Sequence, residues 1–219
     1  MGFTGRLPSK YTTFPADDDG IVPITDYDWF DDDIANRAVE FISVAWSEEH
    51  LEENLEFFAD SLGRKSNESV RDCIRRYLSK DFFKDHLKAY KKRPIYWLFT
   101  SGKQKAFQCL VYLHRYNEGT LARMRTEYVI PLQSKMTARL SHLDDDIAAA
   151  SSTSQQRKLE KERDTLKKQQ TELATFDEKL RHYADQRISL DLDDGVKVNY
   201  GKFGDLLAEV KAITGKKPG

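Results

Sequence analysis

The sequence predicts a mainly α-helical fold: a helical domain with a small β-hairpin, and a long antiparallel coiled-coil helix hairpin. Charged residues make up 32% of the 219 residues and hydrophobic residues only 39%, which favours long solvated helices over a compact β-sandwich. Apolar residues recur at spacings of three and four through much of the chain, which is the helical period. Leucines then follow one another every seven residues, which is typical of a coiled coil, at Leu159, Leu166, Leu173 and Leu180.

Residues 1–25 are expected to form a linker or an extended arm lying on the domain. They contain Pro8, Pro15 and Pro23, and prolines at this density oppose a helix and favour extended or turn conformations. Helical patterning begins only after Thr25-Asp26, because both residues are competent N-caps.

Residues 26–118 are predicted to form the helical domain. After the first helix, a second can begin at Ser47, where the hydroxyl is a suitable cap, and can end at Gly63. A third helical stretch extends over 69–90, with a break expected near Ser79.

Residues 95–112 have a different character. Ile95 to Thr100 is β-branched and aromatic, Ser101-Gly102-Lys103 is a turn signal, and Phe107 to Tyr112 is again apolar and aromatic. A β-hairpin near 95–112 accounts for this pattern. The alternative is a buried strand followed by a second strand or a helix.

Residues 119–190 are predicted to form the long helical hairpin. The small, polar stretch 148–156 can turn the chain round, so the two helices should pack antiparallel. Pro131 should kink the first helix or mark a short break in it. In the second helix the alternate heptad position is polar at first, at Glu162 and Gln169, so the coiled coil has a polar first half.

Residues 191–219 are predicted to form a turn, a short strand and a helix. Asp193-Asp194-Gly195 is a turn signal, and Val196-Lys197-Val198 alternates as a strand does. Leu206 to Ile213 carries the spacing of a short helix.

The sequence gives no sign of export or of a membrane partner. It has no run of eighteen apolar residues, and its first ten residues lack the apolar region of a secretory signal. Cys73 and Cys109 form no CxxC pair and lie in apolar-periodic segments, which indicates a reducing compartment. A cytoplasmic location is therefore expected.

The net charge of −1 conceals a strong asymmetry along the chain. Residues 1–60 carry a balance of −12, residues 61–142 a balance of +12, and residues 143–219 a balance of −1. A basic middle third is a plausible footprint for nucleic acid. The equally favoured alternative is that the acidic and basic parts pack against each other.

Most motifs that could carry chemistry are incomplete. Ser101-Gly102-Lys103-Gln104 resembles the end of a phosphate-binding loop, but the upstream glycine is missing and Gln104 replaces the hydroxyl that would meet magnesium. Asp205, Glu209 and Lys211 loosely resemble a nuclease set, yet they lie on a short amphipathic helix. His114 is more readily explained as a buried histidine bonded to backbone than as a ligand. No catalytic, metal-binding or cofactor-binding residue is predicted.

Basic side chains give the stronger signal. Lys80, Lys84, Lys88 and Lys91 repeat at helical spacing and so form one stripe, which continues into aromatic residues. Lysines that neutralise phosphates give sequence-independent affinity for DNA, whereas the alternative is an ordinary solvated helix face. The candidate DNA-binding residues are Lys84, Lys88, Lys91, Lys92, Arg93, Lys103, Lys105 and Arg115.

Several separate stretches, in the same order along the chain, also carry a resemblance to a known family. They are Asp26-Tyr27-Asp28-Trp29-Phe30, Asp81 to His86, Lys92 to Phe99, Gly102-Lys103, Tyr112 to Tyr116, Thr120 to Arg125, and Leu192 to Tyr200. In these the chain resembles the C-terminal half of the PglX (BrxX) family, the adenine-specific DNA methyltransferases of BREX phage-defence systems. The likeness extends from about Gly20 onward.

The departure from that family concerns catalysis. The family transfers methyl groups with an Asn-Pro-Pro-aromatic motif, and this chain has no Asn-Pro dipeptide and no glycine-rich turn for S-adenosylmethionine. The resemblance therefore implies a non-catalytic module for DNA binding or target recognition, inactive by itself, with S-adenosylmethionine bound in an upstream part. Double-stranded DNA is the implied partner, and other BREX proteins are possible partners. The alternative is an interaction module that docks to such subunits, or to itself, through the helical hairpin.

Overall fold

The computed structural model describes residues 19–216. Within them, three strands form one antiparallel sheet: β1 at Ile21–Ile24, β2 at Tyr96–Thr100 and β3 at Gln108–Tyr112. The strand order is β1-β3-β2. β2 and β3 are the hairpin expected near 95–112, and the sheet as a whole is a minor part of a mainly α-helical fold, as predicted.

β1 is a difference from the sequence prediction, which gave 1–25 as a linker or extended arm. Ile21–Ile24 is extended, but it is a paired edge strand with Ile21 opposite Val111, while residues 1–18 of the predicted arm lie outside the described residues. Pro23 is tolerated there because an edge strand has one side without ladder hydrogen bonds. Four residues are too few for alternation to distinguish a strand from a linker.

Four helices follow β1 before the hairpin. They are α1 at Ile34–Trp46, α2 at Leu51–Ser61, α3 at Val70–Lys80 and α4 at Phe82–Ala89. The break expected near Ser79 lies at Asp81, between α3 and α4.

The start of α1 differs from the prediction, which placed the N-cap at Thr25-Asp26. The cap is Asp33, whose carboxylate accepts hydrogen bonds from the backbone N–H groups of Ala35 at 3.0 Å and Asn36 at 2.9 Å. These bonds satisfy two of the donors that a helix start leaves open. Several acidic residues in this stretch are competent caps, so the sequence does not single out Asp33.

A long helix follows the sheet in three continuous parts. They are α5 at Thr120–Arg123, a π-helical turn at Met124–Val129 and α6 at Ile130–Ala148. Pro131 lies in the first turn of α6 and has no N–H to donate, and its ring would collide with the carbonyl four residues earlier. The wider π-turn just before it lets the helix continue, so the expected disturbance is a local change of helix type.

The second arm of the hairpin is α7, at Thr153–Asp185. Its side chains meet the first arm in opposite sequence order: Arg125 with Asp177, Thr137 with Gln170, and Arg139 with Glu162. The two arms are therefore antiparallel, as the polar connector predicted.

The heptad leucines of α7 pack inside this chain. Three of them are at most 2% exposed: Leu166, Leu173 and Leu180. The polar heptad positions have specific partners, since Glu162 accepts from Arg139 Nε at 3.0 Å and Gln169 donates to the carbonyl of Gln104 at 3.2 Å. The polar first half of the arm is thus satisfied by side-chain and loop contacts, and the interlocking packing of a coiled coil stays a prediction.

The C-terminal region corrects another prediction. Val196-Lys197-Val198, predicted as a strand, lies in helix α8 at Gly195–Gly201, and α9 follows at Val210–Thr214. Asn199, Tyr200 and Phe203 are buried and Val196 is half-buried, which is the spacing of one helix face. Alternation over three residues is too short to outweigh this longer helical period.

Trp97 joins the sheet to the C-terminal region. Its side chain is 1% exposed and lies edge-on to the rings of Tyr200, at 5.1 Å, and Phe203, at 5.7 Å. Alongside, the N–H of Ala208 donates to the carbonyl of Leu98 at 2.8 Å. One hydrophobic core therefore includes residues from the sheet, the helical hairpin and the C-terminal helices.

None of the described helices combines the length and the apolar character that crossing a membrane requires. Cys73 and Cys109 are both buried and free.

Candidate nucleic-acid interface

Arginines of α3 form ion pairs with acidic residues of the first third of the chain. Arg71 Nη2 lies 2.8 Å from Glu52, and Arg75 forms an ion pair with the fully buried carboxylate of Asp33. Acidic and basic parts of the sequence therefore pack on each other. This is one of the two explanations proposed above for the charge asymmetry. These arginines are committed to intramolecular pairs.

Arg76, on the same helix, is committed in the same way. Its Nε lies 2.6 Å from Glu68, and this contact holds the pKa of the Glu68 carboxyl at about 2. Within the described residues, the lysines of the predicted stripe do not take part in this neutralisation of the first third.

The stripe itself is divided by the break between α3 and α4. Lys80 ends α3, whereas Lys84 and Lys88 lie on α4, where their Nζ atoms are 4.0 Å from Asp81 and 3.2 Å from Asp85. These are exposed pairs within one helix, which stabilise little and leave the lysines accessible. The single continuous stripe predicted from spacing is therefore wrong, because the helix that would carry it ends at Lys80.

Lys91 and Lys92 lie beyond α4, in a turn that leads into β2. Both have left-handed backbone conformations, with φ of 50° and 61°. The turn is held by hydrogen bonds from Lys91 N to Lys88 O at 3.1 Å and from Lys92 N to Leu87 O at 2.8 Å. Lys91, Lys92 and Arg93 are all exposed, and the structure records no ion pair between them and another described residue.

This turn forms one wall of an open cleft of about 1050 Å³. The other wall consists of the start of α8 and of α9, which contribute Lys197 and Lys211. Together with the turn, five cationic side chains line the cleft, from two segments about a hundred residues apart. We name it the basic cleft, lined by Lys91, Lys92, Arg93, Lys197 and Lys211.

Neither Lys197 nor Lys211 was among the candidate DNA-binding residues, and Lys211 was considered only in the incomplete nuclease-like set. Lys197 stood in a presumed strand, and Lys211 in a short amphipathic helix with no charge repeat. Only the docking of α8 and α9 beside the turn after α4 brings them to the other cations, and no local pattern encodes that docking.

Lys103 and Lys105 lie at the opposite end of the hairpin, in the exposed loop between β2 and β3. This loop contains the sequence that resembles the end of a phosphate-binding loop. In the structure it binds a carboxylate of the same chain. Glu172 accepts hydrogen bonds from Ser101 Oγ at 2.7 Å, Gln104 N at 2.7 Å and Ala106 N at 3.2 Å. The loop is therefore a turn clamped to α7, in agreement with the sequence interpretation.

Arg115 follows β3 and is exposed. It lies at the same end of the hairpin as Arg93, because Leu113 N donates to Ile95 O at 2.9 Å. It lines a different depression, however, of about 730 Å³, on the face of the sheet that carries Tyr96 and Tyr112. The eight predicted residues are thus spread over α4, the basic cleft and two further places.

The prediction that His114 is a buried histidine bonded to backbone is wrong. His114 is exposed and lies 5.3 Å from the ring of Tyr112, whereas His86 is the buried histidine, with Nε2 accepting from Tyr96 N at 3.2 Å. Burial lowers the pKa of His86, which favours the neutral acceptor that this bond needs. In residues 19–216, no group of three or more His, Cys, Asp or Glu side chains could hold a metal ion.

Comparison with known proteins shows which proteins contain a similar sequence. No protein-family model matches it. It is 61% identical, over 213 residues, to the adenine-specific methyltransferase BrxX of Escherichia coli O9:H4 (strain HS), and 44% identical, over 209 residues, to the adenine-specific methyltransferase PglX of Lacticaseibacillus casei (strain Zhang). The resemblance to these methyltransferases is confirmed.

The matches cover 95% and 94% of this chain but only 18% and 17% of BrxX and PglX. The chain therefore spans less than a fifth of the length of these relatives. The likeness to BrxX extends through nearly all of the described fold, including most of the segments that form the basic cleft.

Proposed function

We propose that this chain is a non-catalytic, DNA-contacting module of an adenine-specific DNA methyltransferase of the BREX phage-defence type, acting in the cytoplasm. The observation that carries the proposal is the basic cleft, in which unpaired cations gather in a chain that is 61% identical to part of BrxX. Phosphate contacts of this kind position a protein on duplex DNA and supply affinity that does not depend on base sequence.

Methyl transfer is assigned to another part of the protein. S-adenosylmethionine does not fit the residues present, because the described sheet is entirely antiparallel and no glycine-rich turn follows any of its strands into a helix. The chain also has no Asn-Pro dipeptide to hold a flipped adenine. The module would therefore bind or position DNA for a catalytic part that carries the cofactor.

Two measurements on the chain test this proposal. Duplex DNA of mixed sequence should be retained at low salt and released as salt rises, because counterions compete for the phosphates. With labelled S-adenosylmethionine, the chain should incorporate no more methyl label into DNA than a heat-killed control. Incorporation above that control would contradict the non-catalytic role, and absence of retention at low salt would contradict the DNA-contacting role.

Docking to another protein of the defence system is the second candidate function, and an exposed aromatic cluster supports it. Trp46 is 47% exposed and Phe57 is 71% exposed, and Phe58 joins them, with ring centroids 5.5 Å from Trp46 and 6.1 Å from Phe57. Large exposed aromatics are common anchors at protein interfaces. The leucines of the helical hairpin are a poorer candidate because they are buried within the chain.

The mass of the chain in solution, with and without other BREX proteins, tests this second candidate. Replacing Trp46 and Phe57 by Ser should abolish an association that uses the cluster. An association that survives this change must use another surface.

A further inference from the structure

We propose that the basic cleft, rather than the exposed face of α4, is where the phosphodiester backbone of DNA is held. This inference rests on the proposed function and specifies its site. The sequence prediction centred on Lys84 and Lys88, whereas the structure brings Lys197 and Lys211 to the turn at 91–93. Two of the cations on which the proposal depends thus come from a region with no predicted DNA contact.

The cations of the basic cleft differ from those of α3 and α4 in their pairing. Arg71, Arg75 and Arg76 are bound to carboxylates, and the lysines of α4 lie within 4.0 Å of acids on or next to their own helix. None of the five cations of the basic cleft has such a pair with a described residue. Five like charges that form no such ion pairs create a positive potential that an anion relieves.

The lining of the basic cleft also suits nucleic acid in its composition. Its acidic side chain is Asp194, whose carboxylate lies 3.6 Å from the Nζ of Lys202 and is therefore already offset. Apolar side chains also line the cleft, at Val196, Val198, Ala212 and Ile213, and Val198 is 54% exposed. A lining that combines cations with apolar side chains suits a sugar–phosphate chain, which offers charge and apolar sugar surface together.

The basic cleft is held in place by the packed core. The wall formed by α8 is fixed to β2 because Trp97 contacts Tyr200 and Phe203. The wall formed by the turn is fixed to the same residue, since the indole N–H of Trp97 donates to the carbonyl of Pro94 at 3.1 Å. One buried side chain therefore contacts both the turn and the residues of α8 and its C-terminal end, and a preformed site loses less entropy on binding.

Paired substitutions with equal loss of charge test the proposal. Lys197→Gln with Lys211→Gln removes two cations from the cleft, and Lys84→Gln with Lys88→Gln is the matched control on α4. The cleft pair should weaken duplex binding roughly tenfold near physiological salt and lower the log–log salt slope by about 1.8, at about 0.9 for each phosphate that is no longer neutralised. The α4 pair should change affinity less than threefold and leave the slope nearly unchanged. Both variants should melt at the wild-type temperature, because all four side chains are exposed.

Other results of these measurements distinguish a wrong site from a wrong function. Equal weakening by both pairs, or weakening by the α4 pair alone, overturns the basic cleft while leaving the DNA-contacting function in place. No duplex binding by the wild-type chain at low salt overturns the proposed function itself. In that case poly-glutamate binding that is abolished in the cleft variant would assign the cleft to an acidic protein segment and overturn the DNA proposal.

Discussion

Glu172 Oε1 accepts a hydrogen bond from Ser101 Oγ at 2.7 Å, between residues that are 71 positions apart in the sequence. The same carboxylate accepts the backbone N–H groups of Gln104 and Ala106, so one side chain of α7 holds the whole loop between β2 and β3. The loop that carries Lys103 and Lys105 is therefore part of the packed structure and not a free tip.

Replacing Glu172 by Ala should destabilise the chain by about 1–3 kcal/mol, because the loop donors lose their acceptor. Amide hydrogen exchange at Gln104 and Ala106 should accelerate at the same time, while β1 keeps its protection. The control is Glu178→Ala on the exposed side of α7, which should change stability by no more than about 0.5 kcal/mol. Equal effects of the two substitutions would mean that the clamp contributes nothing beyond an ordinary surface residue.

Replacing Leu166 or Leu173 by Ala should cost about 2–5 kcal/mol each, because both side chains are buried between the two arms of the hairpin. Leu159→Ala is the matched control, since this leucine has the same heptad position but is only partly buried, so its loss should be smaller. Thermal or urea unfolding measures all three. An unchanged melting temperature in the Leu166→Ala and Leu173→Ala double variant would contradict the packing described.

Replacing Arg75 by Met should destabilise the chain by about 3–5 kcal/mol, because the buried carboxylate of Asp33 loses its counter-charge. Arg71→Met on the same helix is the control, and its exposed pair with Glu52 predicts a loss of less than about 1 kcal/mol. The double variant Asp33→Asn, Arg75→Met should recover part of the loss, since the remaining group is neutral. A double variant that shows the simple sum of both single losses would mean that the two residues are not coupled.

His86 predicts a specific dependence of stability on pH. Burial lowers its pKa in the folded chain below the ordinary value of 6.5, so the unfolded chain binds this proton first as the pH falls. The contribution of His86 is complete above pH 6.5 and is lost progressively below it, until the folded pKa is reached. Unfolding free energies at pH 7.5 and 5.5 should therefore differ more in the wild type than in His86→Gln. Parallel pH dependences in the two proteins would contradict this role.

The sequence was sufficient for features that repeat over many residues. The leucine heptads of α7 and the aromatic segments of the hairpin predicted the arms and strands, because each pattern is long compared with the period it reports. The sequence was insufficient where only a few residues distinguish one conformation from another. β1 has four residues, and Val196-Lys197-Val198 alternates over only three. In both places the neighbours in space determine the conformation.

The candidate site was predictable only in part for the same reason. The turn at 91–93 could be identified from its run of cations, and it does line the basic cleft. Lys197 and Lys211 could not, because their contribution depends on how α8 and α9 lie beside the turn that follows α4. The spacing of Lys80, Lys84 and Lys88 suggested a single helix face, although the break expected near Ser79 interrupts that face at Asp81.

The pairing of β1 with β3 has a consequence for the order of folding. Ile24 pairs with Gln108 and Ile21 with Val111, so the chain must close a loop of more than eighty residues before β1 gains its hydrogen bonds. The arms α6 and α7, in contrast, meet across a connector of only a few residues and can associate early. β1 should therefore be the last strand to join during folding. β1 would stay unpaired until the hairpin of β2 and β3 has formed, and until then the open edge of β3 would be exposed to mispairing with another chain.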